Sequence, residues 1–111
     1  AYHGVYGGDP RGRDGSYHQG PVWTWLLGPY AEAHFRVYGD TEAALGILRP
    51  LADHLRDAGL GTVSEILDGD PPHTPRGCIA QAWGVGTALR TCRRLESARA
   101  AAGSVPADSS P

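Results

Sequence analysis

The sequence predicts an all-α fold, a partial α/α barrel built from helical hairpins. Three observations carry that expectation. Residues 21–38, 41–58 and about 76–95 repeat apolar residues at three- and four-residue steps, the helical period. The first and third segments are apolar over most of their circumference and read as buried, inner helices. The second has one wet face and reads as an outer helix. Three helices cannot close a barrel, so the remainder of the same barrel is expected as a partner outside these residues.

Residues 1–20 are rich in glycine, with Pro10 and several polar side chains, and read as turn-rich loop. Pro21 suits the first position of a helix, where its missing N–H costs nothing. Val22, Trp25, Leu26, Pro29, Ala33 and Val37 form one row, and Trp23, Leu27, Tyr30 and His34 a second. Gly28 and Pro29 are expected to weaken and kink this helix. Gly39 fits the residue just past its end.

Asp40 then fits an N-cap for the second helix. Leu45, Leu48, Leu51, Ala52 and Leu55 form its stripe, while Glu42, Arg49, Asp53 and Arg56 lie off it. Pro50 is expected to bend it. Gly59 reads as its cap, with Leu60 supplying the apolar contact that often follows. The third helix is expected to start between Thr74 and Cys78 and to end near Arg94. Gly84 and Gly86 each weaken it by about 1 kcal/mol relative to alanine, which makes sense where close packing needs them. A domain of residues 1–96 is expected, followed by a disordered tail, 97–111, of Ala, Ser, Pro and Asp.

At 111 residues the chain is one domain or a piece of one. It starts at Ala1 rather than Met, which a fragment explains most simply. The net charge is −2, and the basic residues, all arginine, are scattered. Neither nucleic acid nor an anionic membrane is expected as a partner. No apolar run approaches the roughly 18 residues that span a bilayer, and no leader is visible. Cys78 and Cys92 fall 14 residues apart in one predicted helix, roughly 21 Å, too far to bridge. Both read as small core residues, and a reducing, cytoplasmic setting is the expectation.

The loop of residues 59–77 is long for a helix–helix connection, and such loops tend to be functional or disordered. This one mixes Leu60, Val63, Ile66 and Leu67 with Glu65, Asp68, Asp70, His73 and Arg76, and three prolines stiffen it. An ordered loop with a carboxylate between apolar pairs is a good place to hold an acid or a base. Because helix two returns alongside helix one, this loop is expected at the same end as the loop of residues 14–20. Glu65 should therefore lie near His18 and Trp23.

Two stretches carry a resemblance. Arg13-Asp-Gly-Ser-Tyr-His-Gln-Gly-Pro-Val-Trp-Thr-Trp-Leu-Leu-Gly-Pro-Tyr30 resembles a signature of the C-terminal domain of glycogen debranching enzymes, the amylo-α-1,6-glucosidase family. So does Gly61-Thr-Val-Ser-Glu-Ile-Leu-Asp-Gly-Asp-Pro-Pro-His-Thr-Pro-Arg-Gly-Cys-Ile-Ala-Gln-Ala-Trp83. The resemblance spans roughly residues 2 to 95. It implies a six-hairpin α/α barrel of the glucoamylase-like kind, made here of its last hairpins. It also implies hydrolysis, with inversion, of α-1,6-linked glucose at branch points of glycogen or a similar α-glucan. Thr24 stands where the family more often has proline, and Pro21 where threonine is common.

Inversion needs two carboxyls about 6.5–9.5 Å apart, an acid and a base acting on water. The resemblance places the base at Glu65. The family's acid is an aspartate of an earlier hairpin, so it is expected outside this chain, and the chain alone is expected to be inactive. Asp14, in a Gly-Arg-Asp context, reads as a positioning residue. Asp14, Tyr17, His18, Gln19, Trp23, Asp68, His73 and Arg76 are the candidate substrate-binding residues.

Plainer roles stay open for several of them. His18 and Gln19 can brace loops or bond a sugar hydroxyl, and Trp23 and Trp25 can be core or a sugar platform. Asp68 and Asp70 can be turn formers. The remainder of a calcium loop is missing, and the histidines lack zinc-ligand spacing, so no metal and no cofactor are expected. Two other functions fit the same pattern. One is another α/α-barrel glycosidase, glucoamylase- or trehalase-like. The other is a non-catalytic, carbohydrate-binding helical module.

Overall fold

The computed structural model describes residues 1–103. Helices dominate, as expected: α1 (Pro10–Ser16), α2 (Leu27–Tyr38), α3 (Thr41–Asp57) and α4 (Ala82–Gly103). A small antiparallel sheet of β1 (Val22–Trp23), β2 (Ile66–Leu67) and β3 (Pro75–Arg76) sits among them in the order β1-β2-β3.

The start of the predicted first helix is different. Residues 22–23 are strand, and residues 24–26 form one 3₁₀ turn before α2 begins at Leu27. The cause is tertiary. Val22 pairs with Leu67 and Trp23 with Ile66. Thr24 donates its hydroxyl to the Ser64 carbonyl at 2.6 Å and its N–H to the Glu65 carbonyl at 3.3 Å. Pro29 then falls in the first turn of α2, where a missing N–H breaks no helical bond. Residues 10–16, expected as loop, form α1 because Pro10 opens it and Asp9 caps it, accepting the Gly12 N–H at 2.8 Å.

The α2–α3 turn follows the sequence expectation. The Gly39 N–H caps the Phe35 carbonyl at 2.8 Å, and the Asp40 carboxylate accepts the Ala43 N–H at 2.9 Å. Leu48 and Leu51 of the α3 stripe are buried with Ala31, Ala44, Val63 and Leu95. Glu42, Arg49, Asp53 and Arg56 are exposed. Leu60 does not make the expected capping contact; it is 87% exposed at φ +42°.

Helix α4 begins at Ala82, later than expected, and runs on to Gly103. Residues 75–81 are used instead for β3 and for bonds to the loop of residues 63–68. Cys78 accordingly lies outside α4 and is exposed, whereas Cys92 is half-buried beside the core. The tail expected from residue 97 is helical as far as Gly103, and its remaining residues, 104–111, lie outside the described ones. Alanine, the best helix former, outweighs the polar composition there.

Close approach of α4 to α2 and its 3₁₀ turn explains two of the small residues. A Cβ on Gly28 would lie 2.8 Å from the Thr87 carbonyl oxygen, and one on Gly84 3.1 Å from the Thr24 hydroxyl. Gly86 differs, because open space surrounds it among the described residues. No helix among them is long and apolar enough to cross a membrane.

Candidate active site

The carboxylate of Glu65 sits on the strand entering β2 and is half-buried. Its backbone is fixed from both sides: the Glu65 N–H bonds the Cys78 carbonyl at 2.8 Å, and its carbonyl accepts from Thr24. Three donors reach the side chain. The Tyr17 hydroxyl donates to Oε1. Gln81 Nε2 donates to the same oxygen at 3.1 Å. The Cys78 backbone N–H donates to Oε2 at 3.0 Å. Gly77 makes room for this arrangement, since a Cβ there would meet Glu65 Oε2 at 2.5 Å and its φ is +68°.

Burial pushes the Glu65 carboxyl up. The bonds from Tyr17, the Cys78 N–H and Gln81 outweigh that and hold it below its usual 4.5. At neutral pH it is therefore an anion. Burial, and then the bond to Glu65, pushes Tyr17 up to about 12, so Tyr17 remains a donor over the working range. Each carboxylate oxygen accepts about two hydrogen bonds. Oε1 holds two, while Oε2 holds only the Cys78 N–H. The open acceptor position is therefore on Oε2, and it can take a proton from water.

Aromatic rings extend from this carboxylate. Tyr17 meets Trp23 edge-on at 4.8 Å, and Trp23 Nε1 donates to the Tyr17 carbonyl at 3.3 Å. His18 stacks on Trp23 at 4.9 Å with planes 7° apart. Glu65, Tyr17, His18 and Trp23 thus share one end of the helices. The geometric expectation for Glu65 and His18 is met.

The other candidates occupy different positions. Asp14 is exposed on α1, and its side chain makes no hydrogen bond or ion pair among the described residues. Gln19 ties the chain through its carbonyl, which accepts the His3 N–H at 2.6 Å, and its side chain is exposed. Asp68 is buried. It accepts the Tyr6 N–H at 2.8 Å and pairs with Arg76 at 3.1 Å. His73 Nδ1 lies 3.1 Å from the Asp68 carbonyl. Asp68, His73 and Arg76 therefore brace the β2–β3 turn and the N-terminal segment, and none of them bonds Glu65. Asp70 works alike, accepting from the Tyr2 hydroxyl at 2.9 Å.

Gln81 and the Cys78 N–H were not singled out by sequence. The signal for Gln81 was present, since it lies inside the second quoted stretch, but its partner is 16 residues upstream. Among the described residues no three metal-ligating side chains converge. A wide apolar groove between α3 and α4, lined by Leu48, Leu51, Leu55, Val85, Ala88 and Cys92, contains none of these candidates.

An ionised carboxylate with a free acceptor position, beside a row of aromatic rings at one end of packed helices, is a site suited to a glycoside-hydrolase type of protein. The comparison with family models agrees: the amylo-alpha-1,6-glucosidase model matches residues 1–90. The chain belongs to that family, one of glycogen debranching enzyme-like glycosidases. No curated protein and no solved structure matches it.

Proposed function

We propose that this chain carries the general base of an inverting hydrolase acting on α-1,6-linked glucose at branch points of glycogen or a similar α-glucan. The observation that carries the reading is Glu65 itself. It is ionised, held by three donors, and left with an open acceptor position on Oε2. In the proposed reaction Oε2 takes a proton from water as that water attacks the anomeric carbon. A carboxylic acid on another part of the barrel protonates the departing oxygen. Base assistance of this kind contributes typically 10²–10⁴-fold. Tyr17, Gln81 and the Cys78 N–H do not touch water in this scheme; they fix the carboxylate and keep it charged.

Family membership supports the substrate class, and the aromatic rings beside Glu65 support a pyranose ligand. The remaining hairpins of the barrel are the proposed partner of this chain. The stereochemistry of the product tests the reaction type. A singly branched maltodextrin is given to the full-length polypeptide containing residues 1–111, and the released glucose is followed by proton NMR before it mutarotates. β-Glucose appearing first is expected. α-Glucose appearing first requires a retaining mechanism and removes Glu65 from the role of base to water.

A further inference from the structure

Helix α3 buries one polar side chain among its apolar ones. Its buried residues are Ala44, Leu48, Leu51 and His54. His54 is 8% exposed, and the reaction proposed above does not use it. Its Nε2 accepts the Ser64 N–H at 3.1 Å, across ten residues of chain. A backbone N–H can only donate, so Nε2 carries no proton here and the ring proton sits on Nδ1.

Ser64 is the residue before Glu65 and is 2% exposed. It is gripped on both sides. His54 takes its N–H, and the Thr24 hydroxyl donates to its carbonyl at 2.6 Å. The chain between α3 and Ser64 does not hold this position by itself. Gly59, Leu60 and Gly61 follow one another at φ +78°, +42° and +95°. Leucine rarely adopts that left-handed conformation, and the Leu60 side chain, exposed to solvent, adds little to hold it there. From this geometry we infer that His54 is a positioning residue for the proposed base. By accepting the Ser64 N–H it sets the position of the strand that carries Glu65, and so where Oε2 meets water.

A leucine in place of His54 would fit the same buried stripe but leave the Ser64 N–H without an acceptor, where burial keeps water from replacing it. The loop could then recover a partner only by moving, and Glu65 would move with it. The donors to the Glu65 carboxylate come from Tyr17, Gln81 and Cys78, none of which lies on α3. His54 ties the loop to α3 instead, so it acts on the placement of the carboxylate rather than on its charge. The inference rests on the reading of Glu65 as base, and the experiment separates the two.

The full-length polypeptide containing residues 1–111 is assayed on a singly branched maltodextrin as wild type, H54L, H54N, H54Q, E65Q and the double variant H54L/E65Q. H54L is expected to lower kcat about tenfold, part of the 10²–10⁴-fold that a general base contributes. KM should stay within about twofold, because the base acts on water rather than on glucose. A glutamine Oε1 stands as many bonds from Cβ as the His54 Nε2 does, so H54Q should return kcat to within about threefold of wild type. An asparagine oxygen falls short of that position, and H54N should resemble H54L. On E65Q, H54L should lower kcat by less than about twofold, since residues that act through one another are not additive. The comparison of H54Q with H54N keeps the test where H54L fails to fold. H54L turning over as wild type does overturns the inference. So does H54Q turning over no better than H54N, or the full H54L loss repeated on E65Q. Wild-type turnover in E65Q is a separate result, which refutes Glu65 as base and with it the inference.

Discussion

Replacing Tyr17 by phenylalanine removes a single O–H and leaves the ring that packs on Trp23. Glu65 then keeps two of its three donors, Gln81 and the Cys78 N–H. A hydrogen bond to a charged group contributes about 1.5–3 kcal/mol when well shielded. Glu65 is only half-buried, so water replaces part of the lost bond, and about 1 kcal/mol is the reasonable share. With that donor gone, the carboxyl should rise toward its usual value. The sign is fixed by the mechanism. The base must be ionised, so the acid limb of kcat/KM moves to higher pH in Y17F, while turnover near neutrality falls only modestly. The same change appears in stability. A carboxyl held below 4.5 in the folded state stabilises it above that pH and loses this contribution as pH falls through the folded value. Y17F should therefore show a weaker dependence of urea midpoint on pH in that acidic window. An acid limb that stays in place, or moves to lower pH, would refute the claim that Tyr17 keeps Glu65 charged.

Three further outcomes follow from the packing. T24V leaves the Ser64 carbonyl without its buried donor, and is expected to cost about 1–3 kcal/mol in urea unfolding. G28A forces a Cβ to within 2.8 Å of the Thr87 carbonyl, separates α2 from α4, and is expected to cost about 1–3 kcal/mol, read as a lowered Tm. Residues 1–111 expressed alone are expected to self-associate in sedimentation, because Leu26, Tyr30, Val37, Ile79 and Leu89 are exposed; a stable monomer would contradict this.

Local signals were legible where one short stretch contains both partners. Asp40 and Gly39 identify the α2–α3 turn because a cap bonds residues three or four away. Signals were lost where the partner lies far along the chain. Pro21 looks like a helix start, but residues 22–24 are claimed by residues 64–67 across some forty positions. Two-residue strands have no period to read. The late start of α4 has the same origin, since Cys78 and Gln81 face Glu65 before the helix begins. Glu65 itself is singled out in the sequence by its motif. What surrounds it, and in particular the division of donors between its two oxygens, exists only in three dimensions.

The central claim is that Glu65 is the base, and E65Q tests it most directly. Glutamine keeps the size and one acceptor oxygen but cannot take the proton. In the full-length polypeptide, turnover of a singly branched maltodextrin should fall by at least about 10²-fold, the lower bound for such a base. Binding of the same ligand should change little, because the base acts on water rather than on glucose. Turnover within about fivefold of wild type, well short of that 10² bound, would show that Glu65 is a structural loop residue and that the base lies elsewhere.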